Sequence, residues 1–186
     1  MDLALSGLDL ANTVIRHCIT EGLLTAIPEA DVLHLRAKHL PVKELLARAI
    51  ALRKLFRGIL LINDRVDVCL AAGADGVHLP SNRIAPIALK RHFGQRLCIG
   101  VSCHSIEDLR RAEQEAADYA YFSPIFASPS KPGYGPALGL EILSQAARSV
   151  RIPIIALGGV GNHNEQSCVA AGATGVAGIS RYFGYS

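Results

Sequence analysis

Eight short apolar runs alternate with stretches of helical periodicity along the chain. The runs are residues 2–6 (DLALS), 31–36 (DVLHLR), 58–63 (GILLIN), 75–79 (DGVHL), 96–102 (RLCIGVS), 118–123 (DYAYFS), 152–157 (IPIIAL) and 174–178 (TGVAG). Several are nearly continuous in Val, Ile and Leu, the pattern of parallel strands covered on both faces. Between them, residues 41–56 put Val42, Leu45, Leu46, Ala49 and Leu52 on one helical face, with Pro41 suited to the first helical position. Residues 105–118 open with Ser105 as an N-cap and acids in the first turn. Residues 162–172 begin with cap-forming Asn and stop at Gly172.

An internal echo organises these elements. AAGADGV at 71–77 recurs as AAGATGV at 170–176, an offset of 99 residues. Each copy ends a helix, turns on Gly and enters a strand. That offset holds four βα units of roughly 25 residues, given that a typical eight-unit barrel takes about 250. Two half-barrels of four units account for eight strands better than an open sheet does. The pattern therefore predicts an α/β fold, a compact (β/α)8 TIM barrel formed by residues 1–186 as one domain. Eight residues follow Gly178, so the last helix is expected to be short or missing. An exposed barrel wall there would favour a homodimer.

Composition narrows the class. Half of the 186 residues are hydrophobic and 19% are charged, with a formal net charge of +3. The basic residues are scattered, which argues against nucleic acid and membrane partners and is compatible with a small anionic ligand. No apolar run approaches the ~18–20 residues of a membrane span, and no secretory signal is evident in MDLALSGLDL. The expected location is cytoplasmic. The five cysteines form no close pair and an odd count, so they read as buried thiols.

In such a barrel the chemistry lies just after each strand. After the seventh and eighth runs come LGGVG (157–161) and AGISR (177–181). Glycines there let backbone N–H groups approach an anion, and these two loops are the usual phosphate seat of the fold. Gly158, Gly159 and Ser180 are thus expected phosphate ligands. After the sixth run, ASPSKPGYG (127–135) carries the hydroxyls of Ser128 and Ser130, the cation of Lys131, two restricting prolines and two hinge glycines, a composition suited to a lid over an oxyanion. The second run ends with His34 and Arg36 on one strand face and Lys38 just beyond. The third ends in Asn63 and Asp64; Asp64 reads equally as a Mg2+ ligand or as a helix cap. The fifth ends in Ser102, with His104 nearby as a group of suitable intrinsic pKa. His78 either lines the site or is a hydrogen-bonded core group, the latter being the better reading. Cys103 and His104, adjacent in an extended segment, point apart, and no zinc spacing occurs.

INDRVDVCLAAGADGVHL, IGVSCHS, ADYAYFSPIFASPSKPGYGPALGLE and IPIIALGGV, in that order, resemble the thiamine phosphate synthase and TenI family over nearly the whole chain. The resemblance implies a (β/α)8 barrel that handles a thiazole phosphate. In the synthases the thiazole displaces pyrophosphate from a pyrimidine pyrophosphate with Mg2+ bound. In TenI-type tautomerases a carboxylated thiazole phosphate is isomerised. The resemblance further implies pyrimidine and pyrophosphate contacts from Arg36, Lys38, Asn63, Ser102, Ser128, Ser130 and Lys131. It gives the thiazole-phosphate seat to Gly158, Gly159 and Ser180, and a metal-ligand role to Asp64.

Three departures shape the functional expectation. Arg83, in PSNR (80–83), stands where the synthases have a second metal-binding acid, and a cation beside a dication is repulsive. His34 stands where the synthases prefer Gln. Pro124 stands where TenI tautomerases carry a proton-shuttling His. With the metal acid replaced, the sequence favours a TenI-like thiazole tautomerase using His34, Ser102 or His104 as its catalytic groups. The alternatives are a Mg2+-dependent synthase and a non-catalytic regulatory barrel. No cofactor is expected beyond Mg2+ under the synthase reading.

Overall fold

The computed structural model describes residues 14–21, 29–82, 84–127 and 136–179. Eight parallel strands close into a barrel in sequence order: β1 Ile15–Thr20, β2 Val32–Leu35, β3 Ile59–Asn63, β4 Gly76–Leu79, β5 Cys98–Cys103, β6 Tyr119–Phe122, β7 Ile154–Leu157 and β8 Gly175–Ile179. From β2 onward a helix follows each strand up to β7: α1 Val42–Leu55, α2 Val66–Ala72, α3 Pro86–Phe93, α4 Ile106–Gln114, α5 Gly139–Ser149 and α6 Glu165–Ala170. The predicted (β/α)8 TIM barrel is the observed fold. Whether a last helix is short or missing concerns residues 180–186, outside those described.

Seven of the eight apolar runs overlap the strands. The exception is the first. The strand that pairs with both β2 and β8 is IRHCIT, not DLALS. Its polar letters hid it: Arg16 faces outward and pairs with Glu165, while His17 faces inward and is fully buried. Residues 2–6 lie outside the described residues.

The 99-residue echo is a structural repeat. Gly73 N–H bonds Leu70 O and Ala74 N–H bonds Cys69 O; Gly172 N–H bonds Val169 O and Ala173 N–H bonds Cys168 O. Gly73 and Gly172 both have positive φ, 64° and 102°, a backbone state glycine adopts without a Cβ penalty. Pro41 is the N-cap of α1, one position before the helix proper, and Val42 is exposed, while Leu45, Ala49 and Leu52 are buried as the periodicity predicts.

Burial falls into three clusters. Two lie between the barrel and its helices, one over β2 to β5 with α1 to α3, the other over β5 to β8 with α4 to α6. The third fills the barrel itself and includes Ile15, Ile19, Val32, Leu61, Tyr119, Tyr121 and Ile155. Inward positions alternate along each strand. One laterally paired row reads Asn63, His78, Gly100, Tyr119, and another reads Ser102, Tyr121, Ile155, Gly175. Gly100 is required there, because a Cβ would overlap the Tyr119 ring and hydroxyl.

Candidate functional site

The C-terminal ends of the strands carry a graded set of polar groups. Asn63 closes β3, is half-buried, and lies level with His78. Asp64 follows with φ 59°, one of two non-glycine residues with positive φ among those described. Such a conformation costs of order 1–3 kcal/mol and is found where the surroundings hold a side chain in a set direction. Its N–H bonds His78 O at 2.9 Å. The helix-cap reading of Asp64 is corrected: the N-cap of α2 is Arg65, with no side-chain cap bond. Arg36 follows β2 with its N–H on Thr20 O at 2.8 Å and its guanidinium on Glu21 at 3.0 Å. Lys38 is exposed in the turn before α1.

Ser102, half-buried near the end of β5, has its Oγ 2.9 Å from His78 Nε2. Below it is a network that fills the barrel. His78 Nδ1 lies 2.9 Å from the Tyr119 hydroxyl. The Tyr121 hydroxyl lies 3.1 Å from His17 Nδ1 and 3.4 Å from His34 Nδ1. Tyr121 stacks on His78 with ring centroids 4.1 Å apart. His78 is thus the hydrogen-bonded core group its position in the strand suggested. Burial holds all three histidines neutral. It pushes His17 down to about 3, aided by His34, and His34 down to about 3, aided by Arg36. His78 is held well below its usual value by burial first, then by His34, His17 and Arg36. Burial raises the phenols of Tyr119 and Tyr121.

Two expected catalytic groups look different in this light. His34 is 1% exposed, and its Nδ1 faces Tyr121. It pairs laterally with Leu61, one inward position below Asn63, and so lies beneath the rim rather than on it. His104 stands at the rim, but its Nδ1 donates to Ser123 O at 2.8 Å and its N–H bonds Asp108 at 3.0 Å. Its ring anchors the start of the connection after β6. Cys103 is buried on the outer face, where burial pushes its thiol up to about 12.

Gly158 and Gly159 follow β7 with φ 92° and 63°. They also let the connections after β6 and β7 touch. Ile125 N–H bonds Leu157 O and Phe126 N–H bonds Gly158 O, both at 2.9 Å. A Cβ on Gly158 would come within 2.8 Å of Pro124, and one on Gly159 within 2.7 Å of Ala127 O. Asn164 spans the turn, accepting from Gly161 N–H at 2.7 Å and donating to Gly159 O at 3.0 Å. The N–H groups of Gly158 and Gly159 bond no backbone acceptor among the described residues. Ser128, Ser130, Lys131 and Ser180, together with Arg83, lie outside the described residues.

The structure brings Asn63, Asp64, Ser102, Gly158 and Gly159 to the strand C-termini and leaves His34 beneath them. The sequence reading missed the inward pair Tyr119 and Tyr121, although their spacing of two in a strand signals one face. His17 was missed along with its strand. A cavity of about 170 Å3 borders Ser102 between the β4–α3 connection and α4, lined also by Ser81, Asp108 and Arg111. It lies beside the mouth, since neither Asn63 nor Gly158 lines it. Among the described residues no helix is long and apolar enough to cross a membrane, and no three His, Cys, Asp or Glu side chains form a metal-holding group.

Fold and rim together define a (β/α)8 barrel protein with polar side chains and loop glycines gathered at the strand C-termini. The chain belongs to the thiamine monophosphate synthase family, whose model matches residues 11–182. It is 42% identical over 164 residues to the thiamine-phosphate synthase of Methanoculleus marisnigri, covering 87% of this chain and 78% of the relative. It is 44% identical over 149 residues to a putative thiamine-phosphate synthase of Geobacter sulfurreducens, covering 78% and 70%. Among solved structures, a thiamine phosphate pyrophosphorylase from Pyrococcus furiosus superposes with a TM-score of 0.78 at 30% identity, covering 90% of this chain and 86% of that one.

Proposed function

We propose that this protein is a thiamine-phosphate synthase, which joins a hydroxymethylpyrimidine pyrophosphate to a thiazole phosphate and releases pyrophosphate. The observation that carries this reading is the position of the two histidines. A tautomerase must move a proton at a carbon of its substrate. Of its candidate shuttles, His34 is buried beneath the rim and His104 is bonded through Nδ1 to a backbone carbonyl. A synthase needs no such shuttle. The pyrimidine methylene–oxygen bond breaks, the electron pair leaves with pyrophosphate, and the thiazole ring closes the new bond to the methylene carbon. Rate then depends on fixed donors that meet the charge developing on the leaving group. The names of the relatives support the same reading.

In this scheme the N–H groups of Gly158 and Gly159 hold the thiazole phosphate, joined by Ser180, which follows β8 in the sequence. Ser102 and Asn63 orient the pyrimidine pyrophosphate. Lys38, Arg36 and the hydroxyls and ammonium of Ser128, Ser130 and Lys131 supply positive and hydrogen-bonding character to the departing pyrophosphate. Mg2+ fits this donor set, because it is commonly held by one or two carboxylates plus substrate phosphates rather than by an all-protein cage. Asp64, directed by its positive φ, is the carboxylate that would hold it. When bound, the ion neutralises charge on the leaving pyrophosphate.

The test is to incubate the protein with both phosphorylated substrates, with and without Mg2+, and separately with the carboxylated thiazole phosphate. Mg2+-dependent formation of thiamine phosphate is the expected result. Isomerisation of the carboxylated thiazole without condensation would overturn it in favour of the tautomerase.

A further inference from the structure

The connection after β6 sets the direction of the amides in the turn after β7. Ile125 N–H bonds Leu157 O and Phe126 N–H bonds Gly158 O, each at 2.9 Å. A trans peptide is planar, with its C=O and N–H on opposite sides. The peptide that offers Leu157 O therefore presents Gly158 N–H away from the β6 connection. The peptide that offers Gly158 O does the same with Gly159 N–H. On its other side β7 neighbours β8, after which Ser180 follows in the sequence. Gly159 O in turn takes Asn164 Nδ2 at 3.0 Å. The carbonyls of Leu157, Gly158 and Gly159 are thus all tied. The N–H groups of the same peptides, those of Gly158, Gly159 and Val160, bond no backbone acceptor among the described residues. A donor on a peptide's carbonyl polarises its N–H, which makes that N–H a stronger donor to an anion.

The β6 connection is itself clamped. Ser123 N–H bonds Cys103 O at 3.1 Å, and Leu138 N–H and Gly139 N–H bond Pro124 O and Ile125 O at 2.8 and 2.9 Å. A further tie comes from a side chain. His104 Nδ1 lies 2.8 Å from Ser123 O, and a carbonyl only accepts, so Nδ1 carries a proton and donates it there. The ring stands on a fixed base: His104 N–H bonds Asp108 Oδ2, and Asp108 N–H bonds Oγ of the N-cap Ser105, both at 3.0 Å.

We infer that His104 is a positioning residue for the thiazole phosphate: through Ser123 it holds the β6 connection against β7, and so keeps the Gly158 and Gly159 N–H groups aimed at the phosphoryl group. For its ligand the inference rests on the proposed function. It gives His104 a task that needs a donor at the Nδ1 position and no proton transfer. Asn can supply that donor, because its amide nitrogen lies as many bonds from Cα as Nδ1 does. Gln places its nitrogen at the position of Nε2 instead, and cannot reach Ser123 O in the same way.

Two measurements test it. Binding of the thiazole phosphate and of its dephosphorylated alcohol is measured by calorimetry for the wild type, His104→Ala, His104→Gln and His104→Asn. Loss of one hydrogen bond's worth of orientation predicts a roughly 3–10-fold weakening for the phosphate in His104→Ala and His104→Gln. The alcohol should bind all four proteins alike, and His104→Asn should hold the phosphate nearly as well as the wild type. Equal weakening of phosphate and alcohol, or no rescue by Asn, would mean that the ring acts by general packing and would overturn the inference. Second, amide hydrogen exchange is read in the free proteins. The Ile125 and Phe126 amides should exchange faster in His104→Ala and regain protection in His104→Asn, while Ala173 N–H, bonded to Cys168 O in another part of the barrel, keeps its rate. Unchanged exchange at Ile125 and Phe126 overturns the clamp. A wild type that binds no thiazole phosphate overturns the proposed reaction and the ligand named here, while the exchange rates still decide whether His104 holds the β6 connection.

Discussion

At the scale of single residues, the barrel interior is unusual in what it stores. Apolar side chains usually fill such a core, yet here three imidazoles and two phenols share it. The sign of the resulting pH dependence is fixed by burial. His17 and His34 fall from 6.5 to about 3 in the folded protein, and His78 falls in the same direction. The unfolded chain therefore binds more protons than the folded one between these values. Stability is fully present above pH 6.5 and is lost as pH falls toward 3. His17 and His34 each add a slope of about 1.4 kcal/mol per pH unit within that window. Denaturant unfolding from pH 7.5 to 4.5 should show this fall, and His17→Gln should remove about one proton's share of it. A flat profile would show that these rings are protonated or hydrated in the native protein. Where residues were legible, position along a strand was enough: Asn63 ends β3 and Ser102 is next to the end of β5, close to where the apolar runs placed them. His34 ends β2 in the same way but lies deeper. The stagger of a closed barrel sets depth, and register across three strands cannot be read from one of them.

At the scale of elements, the connections after β6 and β7 form one unit rather than two loops. Paired backbone bonds lace them together, and Gly158 and Gly159 permit the contact. The glycines were read from sequence as anion donors; the structure adds that their missing side chains make room for Pro124, Phe126 and Ala127. Both demands predict the outcome of Gly159→Ala. The substitution combines a positive φ with a 2.7 Å clash on Ala127 O, and should cost roughly 1–3 kcal/mol while also weakening binding of thiazole phosphate. Thermal melting and calorimetry on one sample check both, and retained affinity would remove Gly159 from the phosphate seat. A simpler element prediction concerns α4, where Ser105 Oγ accepts from Asp108 N–H at 3.0 Å. Ser105→Ala should cost about 1 kcal/mol, read as a lowered denaturation midpoint. That cap was legible because its signature is local: Ser, then acids three residues on. Strand β1 was not, because its alternation pairs an outward arginine with an inward histidine, and both are polar letters whose partners lie more than 100 residues away.

At the scale of the molecule, the pattern of eight runs and the 99-residue echo revealed the barrel, since repetition survives even when one element is misplaced. The choice of reaction was less legible. It turned in the sequence on Arg83, His34 and Pro124 read singly, whereas depth and bonding of the histidines are properties of the closed structure. Closure itself supplies the last prediction. The ring is completed where β8 meets β1, pairing Gly175 with Ile15 through Ile179 with Ile19. Outside that seam, Arg16 of β1 reaches Glu165 of α6 at 2.9 Å, and the Glu165 side chain is only 8% exposed. Replacing Arg16 with Met keeps the stem that covers the seam but withdraws a charged partner from a buried carboxylate, which should cost on the order of 1–3 kcal/mol. For a chain of this size, a loss of 1 kcal/mol lowers the melting temperature by about 2–4 °C. Because the change is made at the seam, hydrogen exchange should quicken in β1 and β8 more than in β4 and β5, which pair within one half of the barrel. Uniform quickening in all eight strands would instead mean that the barrel opens only as a whole, and that the Arg16–Glu165 pair holds no particular joint.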